Sequence, residues 1–387
     1  MRLIRRFVLV LLLAAAVAAR SASAQRAPGS ESDQRIVLLS LDGFRWDYLD
    51  RPEAVSLRAL AGRGVRAERM IPSFPTKTFP NHYTIVTGLY PEHHGIVANT
   101  MWDSTIGRRF TMSDTSTVRD ARWWGGEPIW VTAIRQGRKS AAMFWPGSEA
   151  PIGGILPTYY RRYDGAVPNV DRVRQVLAWL TLPKDRAPVI VTLYMSDVDG
   201  AGHQFGPDAP QTSAAIARVD QAVGVLARGL DSLGLAGSVN VIVVADHGMT
   251  AVSRDRSIYL DDYIELSTID VVDWTPVGAI IPKPGHEAEV YERLRGKNPH
   301  LAVYRKRDVP ARFHFNAHPR ITPLVLIADE GWSITSHARQ PVDGGAHGYD
   351  NALPSMGALF AAAGPAFKRG LVVPPFSNVH LYDLMAA

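Results

Sequence analysis

The 387-residue chain contains no cysteine, so disulfides, thiolate metal sites and cysteine nucleophiles are excluded. Long apolar runs are also scarce: the strongest, Phe7 to Ala19, is too short for an ordinary membrane span. No run of five or more lysines and arginines occurs, which argues against electrostatic binding to bulk nucleic acid. Heptads, a collagen period and repeats of 20–50 residues are missing, which removes fibrous and solenoid architectures. What remains is 46% hydrophobic and 20% charged residues, the composition of a globular chain.

The first residues have a pattern of their own. Met1 to Arg6 is basic, Phe7 to Ala19 apolar, and Ala22-Ser23-Ala24 an A-x-A processing site. Residues 1–24 therefore read as a cleaved signal peptide. It holds Arg2, Arg5, Arg6 and Arg20 and no acid, so the formal +5 falls close to neutral once it is removed. Residues 25–35 read as a flexible leader and residues 36–387 as a single domain. An exported chain without disulfides fits a bacterial periplasm or a secreted bacterial enzyme. The expected form is a monomer with no stable membrane anchor after signal cleavage.

Continuous apolar runs at Ile36–Leu41, Val189–Met195 and Val241–Ala245 suggest central strands of a parallel sheet. Ile321–Ala328 is a fourth candidate, weakened by Pro323. Helical stripes precede two of these runs. One is Ile216, Val219, Val223, Leu226, Leu230 and Leu233; the other is Val170, Val173, Val176 and Leu180. Such alternation predicts an α/β fold, doubly wound around a mostly parallel sheet, with ligands beyond the carboxyl ends of its strands. The tryptophan-rich stretch from Met101 to Pro168 reads as an insertion beside the site.

Asp42, Asp199 and Asp246 fall at or just past the strand ends. Asp199 and His203 are four residues apart in a glycine-containing segment that favours a loop. His247 adjoins Asp246, and His347 lies in Gly344-Gly-Ala-His-Gly348. Carboxylate oxygens mixed with imidazoles suit zinc or a similar divalent ion. Taken singly, an aspartate after a strand also fits a turn or cap. Thr78 precedes Pro80, which suits a first helical turn. It fits an N-cap as well as a nucleophile beside a bound cation.

Six segments occur in one order: Ser73-Phe-Pro-Thr-Lys-Thr-Phe-Pro-Asn-His-Tyr83, Thr87 to Gly95, Gly126 to Trp130, Phe144-Trp-Pro-Gly147, Asp246-His-Gly-Met249 and His347-Gly-Tyr-Asp-Asn351. Together they resemble the nucleotide pyrophosphatase/phosphodiesterase family of the alkaline phosphatase superfamily. The resemblance runs from about Ile36 to near the C-terminus. It implies an alkaline phosphatase-like fold and two Zn2+, other divalent ions fitting the same ligands. Asp42, Thr78, Asp246 and His247 would hold one ion; Asp199, His203 and His347 the other.

By the same resemblance Thr78 is the nucleophile of a covalent intermediate, and Asn99 matches a residue that holds a phosphoryl oxygen. Phe79 and Tyr163 match an aromatic pair that sandwiches a nucleobase, and Lys77, Tyr194 and Trp145 match further pocket residues. The implied reaction cleaves ATP, dinucleotides or nucleotide esters to a 5′-nucleotide, with small nucleotides as partners. The alternative is a phosphocholine-type lipid headgroup caged by Tyr160, Tyr163 and Trp145. A monoester phosphatase is disfavoured because no arginine adjoins Thr78. A non-catalytic binding protein leaves Thr78 and Asn99 without purpose. His82, His94 and the remaining histidines read as structural.

Overall fold

A computed structural model describes residues 34–387; the signal peptide and most of the leader lie outside the described residues. Strand Arg35–Leu41 is apolar on both faces because it sits inside an eight-stranded sheet, with Val37, Leu38, Leu39 and Leu41 buried. It runs parallel to Ile190–Met195 on one side and to Val239–Val244 on the other. By residue number the order is 371–373, 65–67, 360–363, 239–244, 35–41, 190–195, 140–143 and 159–161. Phe360–Ala363 is antiparallel to both its neighbours; the other pairings are parallel.

The two stripes become helices Asn169–Leu180 and Pro210–Ser232, with Val173, Val176, Ile216, Val219 and Val223 buried. Helix Pro210–Ser232 packs against Asn169–Leu180 and against Val55–Gly62. A second group consists of Thr78–Thr87, Leu381–Ala386 and Ile129–Arg135. With the central strands buried on both faces, this is the expected doubly wound, alkaline phosphatase-like α/β architecture.

Two regions differ from the sequence reading. The tryptophan-rich stretch is not wholly an insertion: Ser140–Met143 and Tyr159–Arg161 extend the main sheet, and Trp123, Trp124, Trp130 and Trp145 belong to its core. The segment that leaves the sheet lies later in the chain. Ile269–Asp273, Val277–Pro282, Leu324–Ala328 and Leu301–Arg305 form, in that order, a four-stranded antiparallel sheet. Ile280, Leu294, Leu301, Leu324 and Leu326 belong to a second apolar cluster there. Leu324–Ala328 is thus a central strand, but of this sheet. An apolar run reports burial on both faces and carries no information about strand direction. Pro323 stands just outside the strand, where it costs no ladder hydrogen bond.

One buried acid joins two of the helices. Val55–Gly62 has no side-chain cap of its own. Asp220, in helix Pro210–Ser232, accepts from Ser56 N–H at 2.9 Å and Leu57 N–H at 2.8 Å. These are donors that the helix cannot satisfy internally. Asp220→Ala leaves both without an acceptor and should cost about 2 kcal/mol of unfolding free energy in urea titrations. A loss below about 0.5 kcal/mol would show that the carboxylate is not the effective cap.

Candidate active site

Three neighbouring parallel strands end side by side, and a carboxylate follows each. Asp42 comes directly after Arg35–Leu41, and Asp246 two residues after Val239–Val244. Asp199 lies in the first turn of helix Asp197–Phe205, which follows Ile190–Met195. This is the carboxyl edge of the sheet. The approach of these segments depends on Gly43. Its φ is +68°, and a Cβ there would stand 2.9 Å from Asp199 Cα.

The glycines of Ser196–His203 favour a loop, yet the segment is helical. Asp199 and His203 consequently share one helix face. Gly202 serves packing, since a Cβ there would stand 3.0 Å from Met249 Cε, and so does the glycine that faces it across the helix surface. A Cβ on Gly345 would lie 2.5 Å from Gly202 O, so only a bare backbone lets the short Gly344–Ala346 strand lie against this helix. That contact delivers His347 to the site.

The three histidines are oriented alike. Each donates Nδ1–H to a backbone carbonyl: His203 to Gly345 O at 2.9 Å, His247 to Gly248 O at 2.9 Å, His347 to Thr76 O at 2.8 Å. A carbonyl can only accept, so each Nδ1 carries its proton, and Nε2 is the nitrogen turned toward the carboxylates, the one that can present a lone pair to a cation. His247 Nε2 lies 3.0 Å from Asp246 Oδ2 and 3.4 Å from Asp42 Oδ1. Asp199 Oδ1 is 3.3 Å from His203 Nε2 and 3.6 Å from His347 Nε2. Two sets of ligand atoms gather within 4.8 Å: Asp42, Asp246 and His247, and Asp199, His247 and His347.

Asp42 Oδ1, Asp199 Oδ1 and Asp246 Oδ2 are buried without a hydrogen-bond donor. Orphaned carboxylate oxygens are costly unless a cation meets them. Burial, with Asp246 and Asp199 alongside, pushes the Asp42 carboxyl well up, against the hydrogen bond from Tyr194. Burial also acts upward on Asp246, but His247 and His82 outweigh it and hold that carboxyl well down. Burial, reinforced by His247, drives His347 well below the ordinary imidazole value, toward the neutral form a metal requires. Oxygen and imidazole donors with these orphans fit a divalent metal.

Thr78 is the first residue of helix Thr78–Thr87, one position further in than Pro80 suggests, and its Oγ1 lies 3.3 Å from His247 Nε2. Its N–H belongs to the first turn, where no intrahelical acceptor exists and anions are favoured. Asn99 Oδ1 accepts from Phe79 N–H at 2.9 Å. The carboxamide is thereby fixed next to the nucleophile candidate, with its NH2 group as the remaining donor end.

The family model for type I phosphodiesterase / nucleotide pyrophosphatase matches residues 36–350. The chain belongs to this family. It is accordingly a hydrolase acting on phosphoric diesters. Bovine bis(5′-adenosyl)-triphosphatase ENPP4 is 43% identical over 360 residues, which cover 92% of this chain and 78% of that protein. Human ectonucleotide pyrophosphatase/phosphodiesterase family member 5 is 40% identical over 354 residues, 91% of this chain and 73% of that protein. A solved structure of murine ENPP5, an inactive threonine-to-alanine form in complex with AMP, superimposes with a TM-score of 0.88 at 39% identity. It covers 91% of this chain and 94% of that one.

The residues expected to line the family's substrate pocket are placed unevenly. Phe79 is half-buried against Phe110 and Trp124, whereas Tyr163 is 51% exposed. Lys77 is turned to the four-stranded sheet, its ammonium paired with Asp273 and donating to Thr275 O at 3.3 Å. Tyr194 is buried and donates its hydroxyl to Asp42 Oδ2 at 2.5 Å. Trp145 is only 2% exposed, and its indole N–H donates to His82 O at 3.2 Å. Tyr194 and Trp145 therefore support the site from behind rather than facing open space.

Two residues that read as ordinary in the sequence form part of that support. His82 lies four residues after Thr78, donates Nδ1–H to Thr78 O at 2.9 Å and accepts from Ser40 Oγ at 2.8 Å. Its ring is also 3.3 Å from Asp246 Oδ2. Thr76 accepts from His347 Nδ1 and Gly348 N–H and donates to Tyr349 O, clasping the His347 loop at three points. The i, i+4 spacing of Thr78 and His82 was the available signal for the first; nothing local marks the second.

Tyr194→Phe removes one donor from a carboxylate of the proposed ligand set while sparing the ligands. Chelator competition should show metal affinity reduced by about tenfold; unchanged affinity would deny Tyr194 a share in setting the ligand.

Proposed function

We propose that the chain is a two-zinc nucleotide pyrophosphatase/phosphodiesterase that cleaves ATP, dinucleotides and nucleotide esters through a covalent intermediate on Thr78. The observation carrying this is the convergence of three orphaned carboxylate oxygens with the Nε2 atoms of His247 and His347, His247 lying beside the Thr78 hydroxyl and His203 beside Asp199. Asp42, Thr78, Asp246 and His247 would hold one ion, and Asp199, His203 and His347 the other. His247 lies between the two sets, close to both. Bound there, the ions would lower the pKa of the Thr78 hydroxyl and offset the charge on the phosphoryl group.

The chain's own groups then divide the work. Thr78 Oγ1 forms the new bond to phosphorus as the bond from phosphorus to the leaving oxygen breaks. The NH2 group of Asn99 and the first-turn N–H of Thr78 hold a phosphoryl oxygen. His82 anchors the Thr78 carbonyl and so fixes the first helical turn. Water then cleaves the phosphorus–Oγ1 bond and releases the 5′-nucleotide. Two in-line displacements give retention at phosphorus.

Phe79 and Tyr163 take the nucleobase, since stacking tolerates any base. The relatives support this reading: one is named a bis(5′-adenosyl)-triphosphatase and another was solved with AMP. The choline alternative needs an open indole face, and Trp145 is buried behind His82. Among the described residues no helix is long and apolar enough to cross a membrane. The same reading treats residues 1–24 as an export signal and residues 36–387 as one catalytic domain acting in the periplasm or outside the cell.

The test compares p-nitrophenyl thymidine 5′-monophosphate with p-nitrophenyl phosphocholine on zinc-loaded and chelator-treated protein. Chelator-sensitive turnover favouring the nucleotide ester is expected; preference for the choline ester would overturn the substrate assignment. Thr78→Ala should lose at least about a thousandfold in kcat while retaining zinc. Near-full activity in that variant would overturn the mechanism.

A further inference from the structure

Tyr163 is exposed, yet a buried framework that no role assigned so far explains holds it in place. It lies in the irregular stretch between strand Tyr159–Arg161 and helix Asn169–Leu180. Its backbone N–H donates to Glu149 Oε1 at 2.7 Å, and the second oxygen of that carboxylate accepts from Arg119 Nε at 2.8 Å. Its ring meets Phe144 edge-on, with 5.5 Å between centroids, and lies 6.2 Å from Tyr194.

Arg172 secures the same stretch from below. Its guanidinium donates to Gly165 O at 3.3 Å, Val167 O at 2.9 Å and Tyr194 O at 3.0 Å. It is 3% exposed, and these bonds all go to neutral carbonyls. Among the described residues no carboxylate hydrogen-bonds to it, Asp197 and Asp164 acting only through space, so burial is costly for this cation and its retention calls for a reason. Its Cζ also stands 5.1 Å from the centre of the Phe144 ring. Phe144 adopts φ +69°, an unfavourable region for a residue with a large side chain. That backbone turn aims the Phe144 ring between Arg172 and Tyr163.

We propose that Arg172, Phe144 and Glu149 are positioning residues that preset the Tyr163 ring and thereby determine affinity for the nucleobase. This rests on the reading of Tyr163 as a base-stacking face. An exposed tyrosine on irregular backbone would otherwise lose conformational freedom each time a base stacked on it. Anchoring at Tyr163 N–H, Gly165 O and Val167 O removes that loss before substrate arrives.

The experiment measures kcat and KM for p-nitrophenyl thymidine 5′-monophosphate and for bis(p-nitrophenyl) phosphate, which has the same leaving group and no base. The proteins are zinc-loaded wild type, Arg172→Met, Glu149→Met, Tyr163→Ala and the Arg172→Met/Tyr163→Ala pair. Arg172→Met and Glu149→Met should each raise KM for the nucleotide ester by about tenfold, with a smaller change in kcat. The ratio of kcat/KM between the two esters should fall accordingly. In the Tyr163→Ala background, Arg172→Met should change that ratio by less than about twofold.

Equal losses on both esters would overturn the proposal, because a merely structural anchor acts on both alike. So would a full loss of the ratio that persists without the Tyr163 ring. If Arg172→Met does not fold, Glu149→Met carries the same comparison. An unchanged ratio in Tyr163→Ala would overturn the base-stacking reading itself. A fall there, without one in Arg172→Met or Glu149→Met, would overturn the positioning role alone.

Discussion

Like charges repel, and this fold forces three carboxylates into one buried cluster. Parallel strands make that arrangement unavoidable: chains running in one direction end on one edge, so residues just past those ends become neighbours. Asp42, Asp199 and Asp246 are such residues, and Gly43 lets the segments approach more closely than a side chain would permit. The repulsion is visible in the Asp42 carboxyl, pushed up by its burial and by the other two acids. Cations resolve the conflict, and the surrounding structure prepares for them. Each histidine has its proton tied to a backbone carbonyl, leaving the inward nitrogen free to coordinate.

The nucleophile candidate is held from several directions. His82 grips the Thr78 carbonyl from within the same helix, Thr76 clasps the His347 loop, and Lys77 reaches to Asp273 of the antiparallel sheet. The three residues Thr76, Lys77 and Thr78 thus connect the helix start, the histidine loop and the inserted sheet. The antiparallel sheet thus meets this tripeptide through the charge of Asp273 and the neighbouring carbonyl of Thr275.

Much of this was legible in the residue pattern. Strands apolar on both faces marked the centre of the sheet, and the acids following them marked its carboxyl edge. Spacing of three and four residues identified Asn169–Leu180 and Pro210–Ser232 as helices. Direction and partnership were harder to read. Leu324–Ala328 has the composition of the central strands but pairs antiparallel in another sheet. Gly200 and Gly202 weaken a helix by propensity; packing against Met249 accounts for Gly202, and nothing in the structure explains Gly200. Tyr194 and Trp145 match pocket residues by the family resemblance alone. Their burial behind Asp42 and His82 depends on packing that no local pattern encodes.

The bond from His347 to Thr76 spans 271 residues of sequence. Protein synthesis proceeds from the N-terminus, so a nascent chain presents Thr78 and Asp42 long before His347 exists. An unfinished chain has the Thr78 hydroxyl without the complete set of groups around it. The order of the sequence thus sets an order of assembly: the cluster that His347 joins closes only once the last part of the polypeptide has been made.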